Sequence, residues 1–471
     1  MVQPYGATNH SGVDVEARDD TTSEDTSLLG AASTGKAIKR EGHATMVSGI
    51  GNLANTIVGS GMLTFPLALA SAGIIPGILT CVFSGGAAAF GLYLLSRAAT
   101  KAPHRRSSFF AVAELTYPKA AVFFDAAIAV KCFGVSISYL IIIKSLMPNV
   151  VTAIHHDIAP PNTHPPDWAL SDRVWVCLIM LILAPLSFLR HLDSLRHTSF
   201  VALFAVAYLV IVVVYGYFNP MEGAPEPGEI HLIHFTPTFV TTFPVQVFAF
   251  TCAQNLFPIY NELISNTQRR MNIVIGTSIG SAIGIYEIIG VFGYLTFGSK
   301  VGANVIAMYP STSIFIAVGQ LAIAILVMFS YPLQVHPCRN CLDKIFHPGE
   351  MTKSALTNGD NDVSVVDEHG GGDMSTLKHA VLTIAITASG FAIAYFVNDL
   401  QMVLSFVGST GSTTVSFILP GLFFWKLTRN DPGTGKLLNR SALGLAMYGM
   451  LVFVFCLSYN IYKIVHPLEN D

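Results

Sequence analysis

Charge is what this sequence has least of: 12% of its 471 residues are Asp, Glu, Lys or Arg, about half the share of an ordinary soluble domain. A soluble chain of this length would need a charged surface around its core. Here 52% of the residues are hydrophobic and the few charges are bunched between long apolar runs, so lipid is the solvent for most of the chain. No basic stripe interleaved with aromatics is present, which removes nucleic acid as a partner. No HExxH, GxSxG or phosphate-cradling glycine loop occurs, nor a cluster of catalytic His and Asp, which removes the membrane enzymes. The seven cysteines lie mostly inside apolar runs, so a disulfide framework is not expected. One zinc-like spacing, Cys338-Arg-Asn-Cys341, lacks a second ligand pair. Neither a metal site nor a cofactor is expected.

Residues 1–42 are polar and without the basic-then-apolar layout of a cleavable signal; a disordered cytosolic tail is expected there. Within it Glu24-Asp-Thr-Ser-Leu28-Leu29 resembles an acidic dileucine sorting signal of lysosomes and vacuoles. A transmembrane domain is expected over 43–465. Apolar segments of spanning length fall at 45–69, 74–98, 119–146, 173–190, 198–218, 238–261, 272–297, 313–335, 376–397, 400–426 and 441–464. The chain therefore reads as an all-α polytopic membrane protein of eleven transmembrane helices. The one long internal loop, 342–375, is rich in Gly, Asp, Asn and Ser and reads as a disordered cytosolic loop.

With the N-terminus in the cytosol and the sides alternating, all but five of the 26 Lys and Arg fall on the cytosolic side. Arg173, Lys300 and Lys463 fall opposite, and Lys131 and Lys144 fall within span three. This bias sets the orientation. The sequons at Asn9 and Asn439 then face the cytosol and carry no glycan.

Two spans carry breaking signals. Span one reads Asn55-Thr56-Ile-Val-Gly59-Ser60-Gly61-Met62-Leu-Thr-Phe65-Pro66, and span six reads Phe250-Thr251-Cys252-Ala253-Gln254-Asn255-Leu-Phe257-Pro258. Glycines weaken a helical backbone, and proline removes a hydrogen bond. Aligning the two Phe-Pro pairs sets Gly59-Ser60-Gly61 opposite Thr251-Cys252-Ala253. Five spans separate the breaks, so the two helices run in opposite directions through the membrane. That is the pattern of an inverted 5+5 repeat, 45–218 and 238–426, with an extra helix at 441–464 and the binding site where the broken helices meet. Amides freed at Gly59, Ser60 and Gly61 suit a carboxylate, and freed carbonyls suit an ammonium. A pocket with both poles selects an α-amino acid. The substrate-binding candidates are Thr56, Gly59, Ser60, Gly61, Met62, Tyr139, Phe250, Thr251, Cys252 and Gln254. The Ser/Thr/Gly run of span ten, Ser405 to Ser416, is too polar for a lipid face; it packs against neighbours, lines the permeation path, or does both in part.

Asn52-Leu-Ala-Asn55-Thr-Ile-Val-Gly-Ser-Gly61-Met-Leu resembles the first-helix signature of the amino acid/auxin permease family. Phe133-Gly-Val-Ser-Ile-Ser-Tyr139-Leu, Ser330-Tyr-Pro-Leu-Gln-Val-His-Pro-Cys-Arg339 and the run Phe406 to Pro420 resemble its signatures in spans three, eight and ten. The fungal vacuolar amino acid transporters are the nearest in pattern, then the sodium-coupled neutral amino acid transporters. The resemblance implies a LeuT-like fold and coupled amino acid transport by alternating access. It also implies that Asn55 and Ser330 flank the place of a coupling ion.

Ionisable residues inside spans are functional candidates. Glu287, mid-span seven, is read either as a proton carrier or as the structural partner of Lys131. His336 is placed at the end of span eight; Asp125 and Lys144 are placed near the interfaces, free to snorkel. The expected function is secondary active, proton-coupled export of neutral amino acids from the vacuole or lysosome to the cytosol. Sodium-coupled uptake at the plasma membrane and an amino acid sensor of transporter fold are the alternatives. The expected partners are the amino acid, a proton and the bilayer.

Overall fold

In hydrocarbon each backbone N–H and C=O needs a partner inside the protein, so long apolar runs fold as helices. The computed structural model describes residues 42–466, apart from 103–104, 106, 119–120, 161–162, 191–197, 222, 347–373, 432 and 434. The N-terminal tail, its dileucine motif and most of the 342–375 loop therefore lie outside the described residues. The described chain is mainly helical in each of the expected apolar segments, and its one isolated β-bridge joins Ala44 to Leu263. Eight described helices are long and apolar enough to cross a membrane, or nine if the bent pair Met46–Ile57 and Ser60–Ala72 counts as one span. The expected fourth span is helical over Asp172–Ser187, 16 residues. The sixth is divided into Phe239–Ala249 and Leu256–Glu262.

Spans three (Ala121–Ile158) and ten (Leu400–Thr428) hold the centre, with 78% of each apolar window buried, against 33% for spans nine (Thr376–Phe396) and eleven (Lys436–Val465). Phe123, Leu181, Leu203 and Leu451 are exposed on outward faces, where apolar side chains meet lipid. Span eight runs Ile314–Phe346, through Pro332 and Pro337 and past the expected end at 335. Five residues of the expected loop are thus helical, and His336 lies in the helix interior instead of at its end. The polar extension is fastened by Arg339, which donates from Nη1 to the Ser187 carbonyl and to Thr383 Oγ1, both at 3.0 Å.

Two further side chains differ from a snorkelling role. Lys144 is buried and donates to the carbonyls of Ala394 and Val397 and to Asn398 Oδ1. It caps the free carbonyls at the C-terminus of span nine, where a cation is favoured. Asp125 feels the charge of Lys344 and meets the Cys341 thiol of span eight.

Span ten widens in the middle into π-helical turns over Gly408–Ser412 and Thr414–Ile418, a form concentrated at functional sites. Close packing accompanies it. A Cβ at Gly408 would strike the Pro244 carbonyl of span six, and one at Gly411 would lie 2.6 Å from the Ala127 carbonyl oxygen of span three.

Candidate substrate site

Span one stops being helical at Ile57. Gly59 is extended (φ −140°, ψ −150°), and a tight turn over Ser60–Thr64 leads into a second half-helix, Phe65–Ala72. The two halves bend by 47°. Pro66 falls in the first turn of the second half, where its missing N–H costs nothing. The first bond of the turn runs from Met62 N to the Gly59 carbonyl, 3.1 Å, so the amides of Gly59, Ser60 and Gly61 precede any turn acceptor. Span six breaks in the same register. Its first half ends at Ala249, Phe250 to Cys252 are irregular, and Leu256-Phe257-Pro258 opens the second half.

The breaks touch. A Cβ at Gly61 would stand 2.7 Å from Ala249 Cβ and 3.0 Å from Ala249 Cα, so this contact needs glycine. At Gly59 the same test meets nothing nearer than 4.0 Å. Asn255 Nδ2 donates to Thr56 Oγ1 at 2.6 Å, joining the two spans by side chains. A third tie comes from span seven (Gln268–Phe297). The hydroxyl of Tyr286, which is fully buried, lies 2.6 Å from the Ile57 carbonyl and 3.0 Å from the Ala249 carbonyl. Those are the terminal carbonyls of the two half-helices, left without helical partners by the breaks. One phenol proton shared between them holds both chain ends together. Phe65 stacks on the Tyr286 ring at 4.5 Å, and Phe250 meets it edge-on at 5.1 Å.

The candidate residues fall around this junction to different degrees. Ser60 Oγ is buried and makes no hydrogen bond among the described residues. Thr251 donates to the Val247 carbonyl, and Ser416 of span ten reaches Thr251 Oγ1 at 3.3 Å. Cys252 and Met62 are buried, and Gln254 Oε1 is buried without a hydrogen bond. Thr56 donates to the Asn52 carbonyl while accepting from Asn255. Tyr139 of span three meets Gln334 of span eight. Phe250 belongs to the aromatic cluster with Phe65 and Tyr286.

The ion candidates are scattered. Asn55 lies in the last turn of the first half-helix, beside the break. The Ser330 hydroxyl donates to the Leu326 carbonyl of its own helix, 2.8 Å. Both carboxylate oxygens of Glu287 are buried near the Cys81 thiol of span two and make no hydrogen bond among the described residues, and no ion pair joins Glu287 to Lys131.

Sequence reasoning missed Tyr286 and Gln246, and reached Ser412 only as part of the polar run of span ten. Both polar atoms of the Gln246 amide, and Ser412 Oγ in the π-helical stretch, are buried with no hydrogen bond among the described residues. Gln246 lies one helical turn before the span-six break, which was a usable signal. Tyr286 gave none, since a tyrosine in mid-span is unremarkable until its hydroxyl finds two free carbonyls.

The sequence profile described as "Transmembrane amino acid transporter protein" matches residues 42–463. The chain belongs to that family. A relative named vacuolar amino acid transporter 5, from Schizosaccharomyces pombe, is 41% identical over 445 residues, covering 92% of this chain and 98% of its own. Vacuolar amino acid transporter 6 of Saccharomyces cerevisiae is 33% identical over 457 residues, covering 88% and 98%. Among solved structures, MhsT in complex with L-phenylalanine superposes with a TM-score of 0.53 at 12% identity, covering 89% of this chain and all of that one. This likeness concerns the fold, which is the LeuT-like one. As a member of the family the protein is an amino acid transporter, not an enzyme.

Proposed function

We propose that the transporter carries amino acids out of the vacuole to the cytosol, driven by protons, with the substrate held between the broken helices of spans one and six. The observation that carries this reading is the junction itself. The amides of Gly59, Ser60 and Gly61 precede the first bonded residue of the turn and suit a carboxylate, and the half-helix carbonyls of Ile57 and Ala249, each with a second lone pair beyond the Tyr286 bond, suit an ammonium. The orphaned polar atoms of Ser60, Gln246, Gln254 and Ser412 gain partners when a small polar solute enters, since buried polar groups are costly unless bonded. Vacuolar residence is supported by the names of the relatives, and cytosolic placement of the N-terminus by the distribution of Lys and Arg.

Proton drive fits an acidic lumen: each pH unit supplies about 1.4 kcal/mol per proton, or roughly tenfold in concentration. The test is flux of radiolabelled amino acids in reconstituted vesicles under pH and sodium gradients imposed separately. Accumulation that follows the proton gradient and ignores sodium is expected. Accumulation that follows sodium alone would reverse the assignment of the ion, and binding with no flux would make the protein a sensor.

A further inference from the structure

Glu287 is the single acidic residue of span seven, Gln268–Phe297. Among the described residues neither of its buried carboxylate oxygens makes a hydrogen bond or an ion pair. Two oxygens in that condition suit the neutral, protonated acid, because a bare carboxylate there is strongly disfavoured. The helix beside it is span two. The Cys81 thiol lies near the carboxyl, and Ser84 and Gly85 share that face of span two one turn on. The Ser84 hydroxyl is buried and also makes no hydrogen bond among the described residues. At Gly85 a Cβ would stand 2.8 Å from Ile283, one turn before Glu287, and 3.2 Å from the Phe250 ring of the span-six break. That ring meets Tyr286 at 5.1 Å. The contact between spans two and seven that buries Glu287 therefore backs onto the junction. Its neighbour in the chain, Tyr286, is the residue whose hydroxyl ties the two breaks.

Other charges are remote. Spans one, two and five pack against span seven and carry one formal charge between them, Arg97 near the far end of span two; apart from tyrosines, Cys81 is their only other titratable group. Glu229, His231 and Lys300 gather at the C-terminal end of span seven, about two turns or more beyond Glu287. We propose that Glu287 binds the transported proton and that Tyr286 passes its state to the junction. The proposal rests on the proton-driven reading of transport. With the proton bound, the neutral acid stays in this buried contact and the Tyr286 hydroxyl keeps both breaks together. To give the proton up, the carboxyl must reach water, which takes the proton, and span seven must turn or shift to bring it there. Tyr286, on the same helical turn, then leaves the Ile57 and Ala249 carbonyls. Proton loss and release of the half-helices become one event, so each biases the other.

The experiment measures accumulation of a radiolabelled mixture of the protein amino acids in proteoliposomes under a pH gradient, with the membrane potential held at zero. Tracer counterflow without a gradient is run on the same protein. Glu287→Gln keeps the shape and neutrality of the protonated acid. Under a gradient of about one pH unit the wild type is expected to accumulate substrate up to about tenfold. Glu287→Gln is expected to accumulate none, to retain counterflow, and to lose the pH dependence of counterflow that the wild type shows. Accumulation by Glu287→Gln at the wild-type level overturns the proposal. So does loss of counterflow in a Glu287→Gln protein that elutes as the wild type does in size-exclusion chromatography. Should Glu287→Gln not elute so, Glu287→Asp decides: accumulation with a shifted pH profile is expected, and an unshifted profile overturns the proposal. Wild-type accumulation that ignores the pH gradient would instead strike the proton-driven reading beneath it.

Discussion

Tyr286 ties together the two helix breaks that the glycines and prolines open. Breaking two helices inside a bilayer exposes carbonyls that hydrocarbon cannot satisfy, and this one hydroxyl reaches the last carbonyl of each half-helix. Removing it leaves both acceptors buried. Tyr286→Phe keeps the ring and its contacts with Phe65 and Phe250, so the loss is confined to the hydrogen bonds. We expect it to lower stability by about 1–3 kcal/mol, read as a lower midpoint of thermal unfolding in detergent, and to slow amino acid flux. A variant with unchanged midpoint and flux would show that the junction stands without this tie. The adjacent Glu287 drew attention in the sequence because it is charged; the residue holding the site together is the neutral one beside it. Charge is visible in a one-dimensional reading, whereas the rotation of a helix about its axis is not. For the same reason the expected Lys131–Glu287 pair does not form: one side chain lies against span ten and the other against span two.

At the scale of helices, both breaks were legible because their causes are local. Gly59-Ser60-Gly61 and the two Phe-Pro pairs act on the backbone around them whatever the packing. Span eight was legible in position and not in length. Span eight was expected to end at 335 and Asp343 and Lys344 to open a loop, yet the helix continues through them, fastened where Arg339 is tied to spans four and nine. The π-helical turns of span ten were not legible at all, since the shift from four- to five-residue bonding is imposed by the neighbours packed on Gly408 and Gly411. Span nine depends on a residue far from it in sequence, Lys144. Lys144→Met keeps the length of the side chain and removes three donated hydrogen bonds from the Ala394–Asn398 end. Faster amide hydrogen exchange over residues 393–400, with little change at the other end of the helix, is the expected result. Uniform exchange along span nine would mean that Lys144 is incidental to it.

For the whole molecule, the distribution of Lys and Arg predicts sidedness, and glycosylation reads it directly. An acceptor sequon placed in the loop at 223–228, between spans five and six, is expected to gain a glycan in a eukaryotic host, while Asn439 stays bare. Modification of Asn439 with none at the inserted site would invert the orientation. The account as a whole turns on the two broken helices meeting at a contact that admits no side chain on one glycine and leaves room at another. Gly61 abuts Ala249, whereas Gly59 borders open space. Amino acid exchange in vesicles carrying equal amounts of Gly61→Ala and Gly59→Ala protein therefore tests the account most directly. Exchange should collapse, by about tenfold or more, in Gly61→Ala, which prises the breaks apart, and persist at a measurable level in Gly59→Ala. Exchange by Gly61→Ala at the wild-type rate would contradict the claim that amino acids cross where spans one and six meet.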